Sequence, residues 1–366
     1  MAGNIRHYFP GNNTPEGFFS YYHNILKSHE ANKIWCIKGG PGVGKSTFMR
    51  KIGETMLEEG DDVDFLHCSS DSDSIDGIVL KKKKIAIVDG TRPHIVDPVN
   101  PGAVDAIINL GDYWDEKEIR KNRKKIIETN ERISTIFART YNYLAAAEKM
   151  YDNVYAIQGQ RIKDGELYKI ATDIINNELI FEELSPDGGT VKQFFASAIT
   201  PSGLVNYIEG LIKDYHKVYL IQAPVGSGCE KILNLVLESA LYRGFYCEAY
   251  YCPMKPATKL EHLLIPSLSV AIVTSNHYHS IQVSNEVGNV IEINLDIIAT
   301  KEVLSFQKEI ERDSLNKMEE LLEKATQCLL AAKKEHDLLE AFYIPNMNFN
   351  EIEALRREIV HQILGG

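Results

Sequence analysis

Gly39-Gly40-Pro41-Gly42-Val43-Gly44-Lys45-Ser46-Thr47 follows the apolar run Ile34-Trp35-Cys36-Ile37 and satisfies G-x-x-x-x-G-K-[ST] at every required position. The spacing has a physical reason. Glycines let successive backbone N–H groups turn inward around a phosphate, and a helix opening at Lys45 adds the positive end of its dipole. Lys45 is then placed to neutralise terminal phosphates. Ser46 is placed to present its hydroxyl to Mg²⁺, a hard cation that binds through few protein oxygens plus phosphates.

Downstream, Phe48, Ile52 and Met56 recur every four residues and Gly60 marks a stop, so a helix is expected directly after the loop. Val63, Phe65 and Leu66 read as a short strand. Ile85-Ala86-Ile87-Val88-Asp89 reads as a buried parallel strand that delivers a carboxylate to its C-terminal edge, and Ala106 to Leu110 reads as another strand. From 115 to 150 the pattern changes: Ile119, Ile126 and Ile133 stand seven apart among many charges, as expected of a long helical arm. Before the first strand, Thr14-Pro15 has the form of a helix N-cap with proline at the first helical position. A helix is therefore expected over Gly17 to Leu26.

The second half repeats the first about 185 residues later. Thr200-Pro201-Ser202-Gly203 echoes Thr14-Pro15-Glu16-Gly17, and Ala223 to Glu230 stands in register with Gly39 to Ser46. Cys252 matches Cys68, Val270 to Thr274 matches Ile85 to Asp89, and His279 matches His94. The arm returns with Leu315, Met318, Leu322, Ala325 and Leu329, and the last helix with Leu355, Ile359 and Leu364. The copies differ where chemistry would sit: Cys229 replaces Lys45, Glu230 replaces Ser46 and Thr274 replaces Asp89. A glutamate with no lysine to offset it is a poor host for an anion. One working site per chain is expected.

With these blocks in view the chain resembles the P-loop NTPases, and within them a group of bacterial tandem P-loop proteins of ATPase type. The resemblance rests on Gly39 to Thr47, on Asp89-Gly90-Thr91-Arg92-Pro93-His94, on Pro101 to Val104 with Ile108 to Asp112, and on Phe195 to Pro201, and it spans nearly the whole chain. It implies ATP and Mg²⁺ held by Gly39, Pro41, Gly42, Val43, Gly44, Lys45, Ser46 and Thr47, with Ser46 and Asp89 serving the metal. Many such hydrolases place a glutamate after that aspartate to orient water. Here the residue is Gly90, so slow turnover is expected and another group must orient the water. Asp71, Asp73 and His94 are the candidates, with Arg92 a further charge near the site. The absence of an N-K-x-D block after the final strand favours ATP over GTP.

Composition limits the alternatives. A net charge of −11 argues against a general nucleic-acid or membrane-surface binder. The basic run Arg120 to Lys125 is flanked by Glu116, Glu118, Glu128 and Glu131, as on a solvated helix face. The six cysteines include no C-x-x-C pair, which fits reduced thiols in a cytoplasmic protein. The expected fold is α/β: two tandem P-loop-type doubly wound domains, 1–185 and 190–366, each with a long helical arm, forming an intramolecular pseudo-dimer. The arms could also receive a protein partner. The leading functional expectation is ATP hydrolysis in the first domain, with a degenerate structural or regulatory second copy. Phosphoryl transfer to a small molecule and a non-catalytic nucleotide switch are the other readings.

Overall fold

The computed structural model describes residues 2–284, 287–299 and 302–365. The first half runs β1 (Ile5–Tyr8), β2 (Gly11–Thr14), β3 (Gly17–Ser20), β4 (Lys33–Lys38), α1 (Lys45–Glu58), β5 (Val63–His67), β6 (Ile75–Leu80), β7 (Ile85–Asp89), β8 (Asp105–Asn109), α2 (Glu116–Arg120), α3 (Arg123–Gln158) and α4 (Asp164–Glu178). The second runs β9 (Thr190–Phe194), β10 (Ser197–Thr200), β11 (Gly203–Asn206), α5 (Ile208–Ile212), β12 (Lys217–Gln222), α6 (Glu230–Tyr242), β13 (Tyr246–Tyr251), β14 (Leu260–Ile265), β15 (Val270–Ser275), β16 (Asn289–Asn294), α7 (Ser305–Glu340) and α8 (Phe349–Leu364).

Each half builds one six-stranded sheet, ordered β1-β5-β6-β7-β4-β8 and β9-β13-β14-β15-β12-β16. The orders match position for position, so the duplication read from the sequence is a duplication of topology. The sheets are mixed: β6 runs antiparallel to both β5 and β7, and β14 does the same between β13 and β15. This departs from the expected doubly wound parallel arrangement. The reason is local, since the short links 68–74 and 81–84 allow hairpins and leave no room for crossover helices.

Alternation along β4 separates the two faces of the first sheet. Trp35 and Ile37 join Phe48, Met49, Ile52 and Met56 of α1, whereas Ile34 and Cys36 join Tyr8, Phe9, Tyr21 and Tyr22 in a second cluster. That second face is covered by the segment expected to be helical. Thr14-Pro15-Glu16-Gly17 instead forms the turn of the β2–β3 hairpin: the Thr14 hydroxyl accepts from the Glu16 N–H at 3.2 Å and donates to the Gly17 carbonyl at 2.8 Å. Gly17 supplies a φ of 101°, open to glycine. The same two bonds recur at Thr200, Ser202 and Gly203. Only a short turn at Tyr22–Asn24 is helical in this stretch.

The halves meet about a pseudo-twofold axis. Phe9 pairs with its own counterpart Phe195 through reciprocal backbone bonds of 2.9 and 3.0 Å, and both rings are fully buried. Asn12 and Asn13 extend the seam to the Ser197 and Ile199 carbonyls. Arg6 crosses it to the buried Glu248 and to the Tyr250 hydroxyl.

The arms pair with each other. Arg132 meets Glu335 at 2.9 Å near one end and Asn153 meets Ser314 at 3.4 Å toward the other, so α3 and α7 run antiparallel. Each arm thereby carries its terminal helix to the opposite half. Ile352, Ile359 and Ile363 of α8 complete the core around Trp35 and α1, and Leu167, Ala171 and Ile174 of α4 pack in the core of the second sheet. Burial of a side chain of this size contributes about 1.5–3 kcal/mol, so neither core is complete without the other half of the chain. Among the described residues no helix is long and apolar enough to cross a membrane.

Candidate functional site at the first glycine-rich loop

The loop leaves β4 at Lys38 and re-enters regular structure at Lys45, the first residue of α1. Gly42 and Gly44 take φ values of 69° and 87°, which turn the backbone in a way that residues with a Cβ resist. The Lys45 ammonium folds back over the loop, donating to the Gly40 carbonyl at 2.9 Å and the Gly39 carbonyl at 3.2 Å, and lies 3.6 Å from Asp89 Oδ2. Strand pairing makes this possible: β4 and β7 are parallel neighbours with Ile37 opposite Asp89, so the aspartate leaves the sheet beside the loop. Asp89 Oδ1 is held by the Thr91 N–H at 2.8 Å and the Thr91 hydroxyl at 2.6 Å, and Oδ2 faces the lysine. Ser46 Oγ accepts the Ile75 N–H at 3.0 Å. Lys45 and Asp89 therefore meet beside the loop, and Ser46 is tied to the start of β6.

Other expected residues sit differently. Asp71 accepts from the Ser74 hydroxyl at 3.0 Å and pairs with Lys333 of α7 at 3.3 Å. Asp73 is exposed, and its carbonyl accepts from Arg50 at 2.7 Å. His94 is buried: its Nε2 lies 3.2 Å from Asp76 Oδ2, its ring stacks on Tyr22 at 4.8 Å, and Phe18 meets its edge at 5.0 Å.

Asp76 is a residue the sequence reading passed over. It lies one step beyond the Gly77–Val88 pair in the β6–β7 register, which sets it across from Asp89. The Tyr22 hydroxyl donates to it at 2.9 Å. Burial, opposed by His94 and reinforced by Asp89, pushes its carboxyl above the ordinary value. The signal that could have revealed it was its match with Glu261, one acidic side chain at the second position of the strand in each copy.

The loop is covered from the other half. A Cβ added at Gly42 would meet Ile344 at 2.9 Å and Glu340 at 3.1 Å, and one at Gly40 would meet Tyr343 at 3.0 Å. Gly44 faces Phe349. The end of α7 thus brings the Cβ and backbone of Glu340 against Gly42, with His336 3.5 Å from the Glu340 carboxylate. Burial holds the His336 imidazole below its ordinary value. No positional pattern within the arm marks Glu340, because its role as a neighbour follows from the exchange of helices.

The second loop is built on the same backbone, with Gly226 and Gly228 at φ values of 81° and 78°. Its contents differ. Cys229 is buried, the Tyr155 hydroxyl donates to Glu230 at 2.8 Å, and Lys231 is drawn out to Asp164 at 2.6 Å. Beside that loop a cavity of about 850 Å³ opens among Pro224, Asn276, Tyr278, Asn294 and Glu319.

The chemistry of the first loop suits a phosphate chain with a hard cation. It offers one ammonium, one hydroxyl and one carboxylate with an oxygen not taken by backbone donors, at the mouth of a helix. No protein-family model matches the chain, and no curated protein or solved structure matches it significantly.

Proposed function

We propose that the chain binds MgATP at a single site on the first glycine-rich loop and hydrolyses it slowly, and that the second half serves as structural and regulatory partner. In this reading each half is a P-loop-type unit on a mixed sheet. The observation that carries it is the Lys45 ammonium folded over the loop carbonyls within 3.6 Å of Asp89. Lys45 and the loop N–H groups bind and orient the phosphates. Ser46 and Asp89 would hold Mg²⁺, which when bound supplies charge neutralisation at the transferring phosphoryl group. Glu340 and His336 are the groups the arm carries toward the loop, and Glu340 is the carboxylate suited to orient water where Gly90 leaves none.

Covering of the loop by Tyr343, Ile344 and Phe349 supports coupling between nucleotide entry and the arm. The test is phosphate release from ATP by the full chain. Release should be slow and fall at least about 100-fold in Asp89→Asn while ATP still binds, as expected for loss of an electrostatic group at the reacting centre. Release unchanged by that substitution would remove the reading.

A further inference from the structure

Next to the loop lies a second cluster that the nucleotide reading does not use. Cys68, Asp76 and His94 each direct one ligand-type atom into a common space, all within 4.8 Å of one another. Asp76 Oδ2 and His94 Nε2 are 3.2 Å apart, their side chains 8% and 5% exposed, and His94 Nδ1 is buried with no hydrogen-bond partner. Cys68 is drawn to this space by the β5–β6 link, whose backbone closes with the Cys68 N–H on the Ser74 carbonyl at 3.1 Å.

The twin half keeps the same three positions as Cys252, Glu261 and His279, although it has lost the counterparts of Lys45, Ser46 and Asp89. His279 Nε2 lies 3.3 Å from Glu261 Oε1, as His94 does from Asp76. The link closes identically, with the Cys252 N–H on the Lys259 carbonyl at 3.0 Å. The twin differs at two positions: the buried His262, edge-on to His279, stands where the first half has Gly77, and the other difference sets the charge. Where the first half has Ser74, the second has Lys259, and its buried ammonium sits in the cluster, 3.3 Å from Glu261 Oε1 and 3.7 Å from Cys252 Sγ. The second cluster thus carries its own covalently attached cation. The first has the same anionic and soft donors, a second carboxylate nearby in Asp89, and a serine too short to supply a charge.

We propose that Cys68, Asp76 and His94 form a transition-metal site of the Zn²⁺ class in the first half, and that Lys259 takes the place of the metal in the second. One sulfur, one imidazole nitrogen and one carboxylate oxygen are the ligands of a borderline-soft ion and unlike the all-oxygen shell of Mg²⁺. An edge of 3.2 Å between two donors fits a tetrahedral ion with bonds of roughly 2.0–2.2 Å. Three protein ligands leave one position open. On binding, the Cys68 thiol gives its proton to the solvent and the thiolate takes the metal, while Asp76 and neutral His94 add their lone pairs. The site is independent of nucleotide, so its failure would leave the ATP reading intact.

The experiment loads the full-length, chelator-stripped chain with Co²⁺ and then Zn²⁺ without nucleotide. One equivalent of Co²⁺ should bind with a thiolate-to-cobalt charge-transfer band, and Zn²⁺ should displace it. Cys68→Ala should abolish the band and weaken Zn²⁺ by at least about 100-fold, the upper end of what even outer-shell partners cost. Ser74→Lys, which copies the twin, should abolish uptake with melting and circular dichroism retained. The cluster of His336, Asp337 and Glu340 has no thiol and cannot produce the band. Absence of the band in the unmodified chain, or a band and affinity unchanged in Cys68→Ala or in folded Ser74→Lys, would overturn the proposal.

Discussion

Lys333 Nζ stands 3.3 Å from Asp71 Oδ2 across the seam between the halves, and the matching positions in the other seam carry the pair with its signs exchanged: Lys255 Nζ lies 2.7 Å from Glu148 Oε1. The third member of each group is an aspartate of the arm, Asp337 beside Lys333 and Asp152 beside Lys255. Duplication alone would repeat a charge pattern. Two seams of opposite polarity hold each arm to the other half's β-hairpin link while making the two attachments non-equivalent.

The first prediction tests that exchange. Lys333→Glu should cost up to about 1 kcal/mol, since the pair is part-exposed. Adding Asp71→Lys should recover it, because the introduced lysine would then face both a glutamate and Asp337, as Lys255 faces Glu148 and Asp152. A double-mutant cycle on urea midpoints reads the coupling, and a coupling of zero would refute it.

Acid should unfasten the seam at Arg6 and Glu248. Burial alone would raise the Glu248 carboxyl, but the Arg6 guanidinium brings it from its ordinary 4.5 down to about 2. The folded value lies below the unfolded one, so the stabilisation is fully present above pH 4.5 and is lost as pH falls through 2. A shift of this size corresponds to something on the order of 3 kcal/mol. Urea midpoints measured down this range should fall in the wild type, and Arg6→Met/Glu248→Leu should have a shallower slope. Arg6→Met alone should be the worst variant near neutral pH, costing roughly 3–5 kcal/mol because it leaves a buried carboxylate unpaired.

The exchanged helices make a third prediction. Ile359 belongs by chain to the second half but packs with Trp35 in the first core. Ile359→Ala should cost about 2–5 kcal/mol, and the loss should be reported by Trp35 fluorescence rather than confined to the second sheet. Wild-type unfolding of Trp35 in that variant would mean the helix is not in that core.

The parts of this architecture that obey local rules were legible beforehand: the loop, the helix at Phe48 to Met56, the strand ending at Asp89, and the repeat of the loop and of that strand in the second half. Two parts were hidden. Thr14-Pro15 carries the chemistry of a helix N-cap and of a tight turn alike, and only Gly17 at positive φ decides for the hairpin. The helix exchange was invisible because an amphipathic face at Ile352, Ile359 and Ile363 specifies burial and not the surface that provides it. For the same reason Glu340 could not be placed near the loop. Asp76 sat in the Ile75–Leu80 stretch, where its strand had not been recognised and so its position across from Asp89 had no meaning. Of the candidate residues, the structure brings Lys45 to Asp89, ties Ser46 to Ile75, buries His94 against Asp76, and turns Asp71 toward Lys333.

The central claim is one nucleotide site per chain, built on Lys45 and absent from the loop that carries Cys229 and Glu230. Calorimetric titration of the full chain with MgATP tests it most directly. One equivalent should bind to the wild type and to Glu230→Gln, and none to Lys45→Ala. Two equivalents in the wild type, or one that survives Lys45→Ala with its affinity unchanged, would contradict it.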